Sequence, residues 1–296
     1  MVTMPRYSFL IPSSGRASRL RGTLNALAAL GDAADTSEVV LVIDGPASGL
    51  PLSDLLAGAG RMPVTVIEQA RSGPARARNV AAAHARGEWL VFLDDDCRVG
   101  PDVLGQLGRV LRSDAGVAFG GQPSIPGTAT IWSAASHIVV ETFIASCRHP
   151  SGAFAFLPSQ NLVVHRTAWQ RMGGFSERFR AAGGEDREFC RRWVNGGGRL
   201  QRLPGLGYVH DDRLTAWSFL RKHFRYGEGA ALVPHLPGLG WYLTFLTEAV
   251  RQIAAHGWWR QPGLIVALVA SQVASATGRV FAEAPRRAAA PAAEAR

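Results

Sequence analysis

The sequence predicts an α/β protein built around an open, doubly wound sheet, and three observations carry that expectation. Short apolar runs rich in Val, Ile, Leu and Phe alternate with helical patterns through the first part of the chain. Two of these runs stop abruptly on acids, at Asp44-Gly45 and at Asp94-Asp95-Asp96. Candidate helices open on Pro and close on Gly, as in the segment from Pro74 to Gly87.

Taken in order, Tyr7–Ile11 is a strand that ends in the turn Pro12-Ser-Ser-Gly15. Residues 17–30 place Leu20, Leu24, Leu27 and Leu30 at helical spacing before Gly31. Glu38–Ile43 and Val64–Ile67 are the second and third strands. Pro74–Arg86 is a helix, Trp89–Leu93 the fourth strand, and Pro101–Arg112 a further helix opened by Pro. Val117–Gly121 is a further strand candidate. Residues 123–158 mix Gly, Pro and Ser with an apolar stretch at Ile138–Ile144, expected to be an irregular or helical crossover. Leu162–Val164 is strand-like, Thr167–Met172 a short helix, and Glu185–Val194 a longer one. Leu200–Leu203 and Gly207–His210 resemble short edge strands.

From Trp217 the chain becomes basic, aromatic and helical, with Trp217, Phe219, Phe224 and Tyr226 interleaved among Arg221, Lys222, His223 and Arg225. The run Pro262–Gly278 carries no charged side chain and is near the short end of what spans a bilayer. Ser271, Gln272, Ser275 and Thr277 and the Arg and Trp flanks suit an interfacial helix instead, or a helix packed on the core or on a second copy. From Ala284 the tail is Ala, Pro and Arg, a composition expected to be disordered.

At 296 residues the chain has ample length for a core. Its formal charge is +9, almost wholly from Arg, which suits phosphate-bearing partners without choosing among nucleotides, anionic lipids and nucleic acid. The 3 cysteines, Cys97, Cys147 and Cys190, show no Cys-x-x-Cys spacing, which argues against a disulfide framework or a zinc site and fits a reducing compartment. Tyr7–Ile11 is too short for a secretory core, so a cytoplasmic location is expected, with contact to the inner face of the membrane through the C-terminal region.

The acids carry the chemistry. A strand end at the carboxyl edge of an open α/β sheet is where ligands bind. In an extended segment Asp94 and Asp96 point to one side and Asp95 to the other. Such a pair suits a hard divalent cation shared with a pyrophosphate, Mn²⁺ or Mg²⁺. The alternative is a solvated acidic turn.

Six segments in register then resemble the family 2 inverting glycosyltransferases of the GT-A fold, over residues 5–230. They are Phe9-Leu-Ile-Pro-Ser13, Val40-Leu-Val-Ile-Asp44-Gly45, Ser72-Gly-Pro-Ala-Arg-Ala-Arg-Asn79, Gly87-Glu-Trp-Leu-Val-Phe-Leu-Asp-Asp-Asp96, Gly173-Gly-Phe175 and Gly184-Glu-Asp186. The resemblance implies a GT-A, Rossmann-like open mixed sheet flanked by helices, with a helical C-terminal extension. It implies a nucleotide-sugar-binding half at 1–122 and an acceptor-binding, catalytic-base half at 123–216. A basic, aromatic helical extension would follow at 217–281, and a disordered tail at 282–296.

On the donor side it implies Pro12, Ser13, Asp44, Arg78, Asp94 and Asp95. Asp44 would accept from the uracil imide or a ribose hydroxyl, or simply hold an Asp-Gly turn. Arg78, on a helix whose N-terminus faces the crevice, would pair with base or diphosphate. Arg71 and Arg76 would share that role or stand in solvent. The cation would be held by Asp94, Asp96 and His210. Asp186 would be the base that deprotonates the acceptor hydroxyl, with Glu185 orienting the acceptor or capping the helix. Gln160, Asn161 and Gly174 would line the acceptor pocket, with Trp169 and Phe175 either stacking on sugar or packing in the core.

Two departures stand out. Ile43 occupies a position often acidic in the family, and Ser13-Ser14-Gly15 replaces a commoner Thr-Tyr-Asn. A Gln-x-x-Arg-Trp element of processive synthases is mimicked only at its end by Arg192-Trp193, with Phe189 in place of Gln, so transfer of a single sugar is expected.

The partners implied are a nucleoside diphosphate sugar, UDP first, and a glycan or lipid-linked acceptor of the cell envelope, with no nucleic acid. Two other readings compete. A sugar nucleotidyltransferase would carry a Gly-rich, Lys-containing loop after the first strand, and Pro12-Ser-Ser-Gly-Arg16 has no Lys. A non-catalytic basic protein that binds nucleic acid or membrane leaves Asp94–Asp96 and Glu185-Asp186 unexplained.

Overall fold

The computed structural model of the chain describes residues 4–31, 35–47, 51–111, 115–124, 126, 129–147, 155–233, 239–255 and 260–289. In chain order the first half runs β1 (Tyr7–Ser13), α1 (Ala17–Ala28), β2 (Ser37–Asp44), α2 (Leu52–Ala57), β3 (Val64–Gln69), α3 (Pro74–His84), β4 (Trp89–Leu93), β5 (Cys97–Val99), α4 (Val103–Val110), β6 (Val117–Gly120) and β7 (Pro123–Ser124). The second half runs α5 (Ile131–Ser146), β8 (Asn161–His165), α6 (Arg166–Met172), α7 (Glu185–Asn195), β9 (Arg199–Arg202), β10 (Tyr208–His210), α8 (Ala216–Ala230), α9 (Leu239–Ala255) and α10 (Pro262–Ala289).

The chain divides into two compact units. The first comprises Met1–Gly127, Arg148–Arg180 and Asp186–Asp211. It is built on a 7-stranded sheet in the order β3-β2-β1-β4-β8-β6-β9. β1 pairs in parallel with both β2 and β4, so the chain winds outward to β3 and then returns to the other side of β1. That reversal opens a crevice beyond the carboxyl ends of β1 and β4. β8 lies antiparallel between β4 and β6, which makes the sheet mixed, as the family resemblance implies.

Burial explains why these runs became strands. β4 is buried at all five positions, and β2 is buried along nearly its whole length, as expected for strands covered on both faces. α1 packs Leu20, Leu24 and Leu27 onto that sheet. Each such leucine is worth about 1.5–3 kcal/mol when fully buried. The helix ends at Ala28, two residues before the leucine that sequence periodicity included. α3 opens as expected, with Pro74 in its first turn and Gly73 before it at φ +97°.

A second, 3-stranded sheet runs β5-β10-β7. Gly207–His210 was expected at an edge, but β10 is the middle strand, antiparallel to β5 and parallel to β7. β9 does lie at an edge.

The second unit comprises Thr128–Cys147, Ala181–Glu185 and Asp212–Arg296. Its core gathers Ala135 and Ile138 of α5, Leu214, Phe219 of α8, and Leu264 and Ala267 of α10. Of the irregular or helical crossover expected around Ile138–Ile144, the helical form is what is found: the stretch lies in the regular helix α5, capped by the Thr130 side chain. α8 starts with a capping box formed by Thr215 and Ser218. α10 continues to Ala289, past the point where an unstructured tail was expected, while residues 290–296 and Trp258-Trp259 fall outside the described residues. Pro262–Glu283 has a mean hydropathy of 1.6 and is long and apolar enough, by length and composition, to cross a membrane.

Candidate active site

The acidic strand end is a tight turn. The Cys97 amide donates to the Asp94 carbonyl at 3.0 Å, so β4 stops and β5 begins immediately. The three carboxylates meet different partners, and the extended segment that would aim Asp94 and Asp96 together does not form, since Asp95 and Asp96 lie in a turn. Asp94 receives Arg78 Nη2 at 2.6 Å. Asp95 is buried and accepts from Ser13 Oγ at 2.6 Å, while its carbonyl accepts from Thr23 of α1 at 2.9 Å. Burial, reinforced by the neighbouring Asp96 charge and opposed by the Ser13 hydrogen bond, pushes the Asp95 carboxyl up to about 6.

Asp96 meets a different set. The β5–β10 ladder pairs Cys97 with His210, and the Asp211 amide donates to the Asp96 carbonyl at 2.9 Å. This cross-strand register brings His210 Nε2 to 3.3 Å from Asp96 Oδ1. Among the described residues, Asp96, Cys97 and His210 offer ligand atoms that all lie within 4.8 Å of one another, and Asp94 is not part of that group. Cys97 is fully buried, and burial followed by the Asp96 and Asp94 charges holds its thiol well above the usual range. Sulfur is a soft ligand and a poor match for a hard cation, so the usable set is carboxylate oxygen plus imidazole nitrogen, which suits Mn²⁺ or Mg²⁺ completed by phosphate and water. From the other side, Arg19 of α1 donates from Nη1 to Asp96 Oδ2 at 2.6 Å.

Asp44, at the end of β2, uses both carboxylate oxygens within the protein. Oδ1 accepts from Gln69 Nε2 at 2.8 Å and from the Ser72 amide at 2.7 Å, and Oδ2 accepts from the Gly73 amide at 2.9 Å. These bonds fasten the loop that opens α3 and do not close a local Asp-Gly turn. Arg71, exposed, lies against Gly45, where a Cβ would stand 3.3 Å from its guanidinium. Arg76 is exposed and pairs with Glu177 at 3.1 Å. Arg78 is buried and directs its guanidinium to Asp94 and over the Phe175 ring.

The residues expected on the acceptor side fall into distinct settings. Gln160 donates to the Tyr208 hydroxyl at 2.7 Å, and its carbonyl accepts from the Asp94 amide at 3.4 Å, so it adjoins the acidic turn. Asn161 is buried, and its Oδ1 accepts from the Gly121 amide at 3.2 Å, a bond that holds the sheet. Gly174 has φ +70°, and its carbonyl accepts from Arg192 at 2.6 Å. Asp186, in the first turn of α7, is half-buried and accepts from the Arg187 amide at 2.8 Å. Glu185 is buried and holds the Gly183 amide at 2.8 Å. Trp169 and Phe175 pack with Phe92 and Phe189 in the core.

Sequence reasoning gave no role to Arg19, Asn79 or Tyr208. Arg19 and Thr23 stand one helical turn apart on α1, both facing the acidic turn. An Arg three residues after Arg16, following the loop of the first strand, was the available signal. No local pattern marks the hydroxyl of Tyr208.

A family model described as glycosyl transferase family 2 matches residues 8–179. One described as the N-terminal domain of galactosyltransferase matches residues 155–212. The pre-mycofactocin glycosyltransferase of Mycobacterium tuberculosis is 28% identical over 230 residues, covering 75% of this chain and 46% of that protein. The chain thus spans about half the length of that curated relative. Among solved structures, the mannosyltransferase PcManGT of Pyrobaculum calidifontis, in complex with GDP-Man and Mn²⁺, matches with a TM-score of 0.64 at 17% identity, covering 94% of this chain and 88% of that one. The S. aureus TarS fragment 1-349 in complex with UDP matches with a TM-score of 0.53 at 15% identity, covering 96% and 92%. At these identities the structural likeness establishes the fold.

Proposed function

The chain belongs to glycosyl transferase family 2, and from that premise we propose that it transfers one sugar, with inversion, from a nucleoside diphosphate sugar to an acceptor hydroxyl. The observation that carries the reading is Asp96 beside His210 at the end of β4, a carboxylate and an imidazole 3.3 Å apart. Asp96 and His210 would hold Mn²⁺ or Mg²⁺, which, when bound, offsets the charge on the departing diphosphate. Solved structures of the same fold are described with GDP-Man and Mn²⁺ and with UDP, which supports a nucleotide-sugar donor and a divalent cation.

Each residue has a stated task. Asp44 fixes the Ser72-Gly73 loop at the start of α3 and meets the nucleoside, with Pro12, Ser13 and Asp95 lining the donor side. Arg78, with Asp94, orients the donor. Asp186 takes the proton from the acceptor hydroxyl as its oxygen bonds to the anomeric carbon. The bond from that carbon to the diphosphate oxygen breaks on the opposite face, so one carboxylate suffices. Gln160, Asn161, Gly174 and Glu185 shape the acceptor side. The donor nucleotide is UDP, and the acceptor is a lipid-linked glycan or cell-surface polysaccharide precursor met at the inner face of the membrane. The apolar α10 supports that last choice, since Val266, Val269, Val273 and Val280 are all exposed on it.

The test is release of nucleoside diphosphate from UDP-, GDP- and dTDP-sugars with and without Mn²⁺ or Mg²⁺, using a membrane lipid extract as acceptor. Metal-dependent release from one donor, lost in Asp96→Ala and Asp186→Asn while Asp186→Asn still binds nucleotide, is the expected result. Release that survives Asp186→Asn would remove Asp186 from the role of base.

A further inference from the structure

The Arg19–Asp96 pair is placed where it must affect cation binding. Arg19 Nη1 lies 2.6 Å from Asp96 Oδ2, the Asp96 side chain is only 9% exposed, and Arg19 is 24% exposed. The other carboxylate oxygen faces His210 Nε2. A divalent cation drawn to Asp96 therefore meets a carboxylate whose charge is already matched by a guanidinium. Two cations cannot share one partly buried carboxylate without repelling each other. α1 is anchored beside the turn, because Thr23, one turn after Arg19 on the same face, donates to the Asp95 carbonyl.

We propose that Arg19 is a built-in competitor of the metal: it occupies Asp96 when no nucleotide is bound, lowers the affinity for the cation alone, and moves to the diphosphate when metal and nucleotide arrive together. The inference rests on the nucleotide-sugar reading above. Arg19 follows the Ser13–Arg16 loop at the sheet's switch point, where a diphosphate would lie, and a guanidinium fork matches phosphate oxygens as well as it matches a carboxylate. Exchange of partners makes metal and diphosphate reinforce each other's binding, and by linkage the effect is reciprocal. Arg19 acts in this scheme as a positioning residue, and it touches the donor only in the loaded state.

The experiment is titration of the full chain with Mn²⁺, read by the loss of the free-ion electron paramagnetic resonance signal, with and without saturating UDP or GDP. No turnover is involved. Without nucleotide, Arg19→Gln binds Mn²⁺ roughly two- to tenfold more tightly than wild type, with Arg19→Lys in between. With nucleotide, that advantage vanishes or reverses. Arg109→Gln, which removes an exposed positive charge on α4, leaves Mn²⁺ affinity unchanged. Equal or weaker Mn²⁺ binding by nucleotide-free Arg19→Gln, in a protein whose Asp96→Ala variant has lost the ion, overturns the role of Arg19 alone. Wild-type Mn²⁺ binding by Asp96→Ala overturns the metal site and this inference together.

Discussion

Asn79 and Phe175 exchange two hydrogen bonds across 96 residues of sequence: Asn79 Nδ2 donates to the Phe175 carbonyl at 2.9 Å, and Asn79 Oδ1 accepts from the Phe175 amide at 2.9 Å. Two segments that looked like separate motifs are thus one clamp, joining helix α3 to the Gly173-Gly174-Phe175 loop. The fit is close, since a Cβ on Gly174 would stand 2.7 Å from Asn79 Oδ1. Asn79→Ala removes both bonds and leaves two backbone groups to find other partners, a cost of about 1–3 kcal/mol. Urea denaturation should show that loss. If that loop lies on the acceptor side, as proposed, nucleotide affinity should fall less than turnover. Unchanged stability would mean that the Phe175 backbone is satisfied without Asn79.

The amino end of the sheet carries a buried acid whose protonation should be felt in stability. Glu38 accepts from Ser8 Oγ at 2.7 Å, the Arg86 amide at 2.6 Å and Arg86 Nε at 2.9 Å. Burial raises its carboxyl, but the Arg86 amide, Ser8 and the Arg86 guanidinium together outweigh that and hold it below the ordinary range. A folded-state value below the unfolded one stabilises the native form above the unfolded pKa, and this contribution is lost as pH falls through the folded one. Wild type should therefore lose melting temperature as pH drops below about 4.5. Glu38→Gln should melt lower at pH 7 and show a shallower acid slope. Parallel wild-type and Glu38→Gln profiles would rule the linkage out.

Much of this architecture was legible because local pattern and burial agree. Trp89–Leu93 is apolar at every position and is buried on both faces, and the Pro74 helix opens on the Gly73-Pro74 turn chemistry its start requires, though it ends at His84, short of the expected Arg86-Gly87. What was not legible depends on pairing between distant segments. β5 has three residues, too few to show a period, yet its ladder with β10 is what sets His210 beside Asp96. A strand-end His and an acidic triplet were both visible, while the turn that separates Asp94 from Asp96 was not, because a three-acid run has no period to betray it. Arg19 was hidden for a similar reason: its partner depends on which face of α1 meets that turn.

In the helical unit, α8 and α10 approach at backbone distance. A Cβ on Gly227 would lie 1.9 Å from the Ser275 carbonyl oxygen, and one on Gly278 would lie 2.0 Å from the Phe224 carbonyl oxygen. These obstacles are backbone, so no side-chain rotation relieves them. Gly278→Val should force the two helices apart and lower the melting temperature or solubility. Ser275→Ala, which removes no backbone group, should be near neutral. Circular dichroism melts of the three proteins decide the point, and a Gly278→Val variant as stable as wild type would show that the helices do not pack this way in solution.

The last prediction separates structural from ligand-binding work at Arg78. Its Nη2 lies 2.6 Å from Asp94 Oδ1, with the Arg78 side chain 5% exposed and Asp94 27% exposed. A buried guanidinium paired to a partly exposed carboxylate is placed to hold the turn, and the proposed function gives it a second task against an anionic ligand. Arg78→Lys keeps the charge, so most of the pair's stabilisation should survive. The planar fork is lost, and a site that needs it should bind nucleoside diphosphate about tenfold more weakly. Arg78→Ala removes the charge as well and should cost about 1–3 kcal/mol of stability, less than a fully buried broken pair because water reaches Asp94. A double-mutant cycle with Asp94→Asn should return a coupling of about 1 kcal/mol or more in stability. If Arg78→Lys weakens folding and nucleotide binding by the same factor, Arg78 is a strut for the turn and the donor is held by other residues.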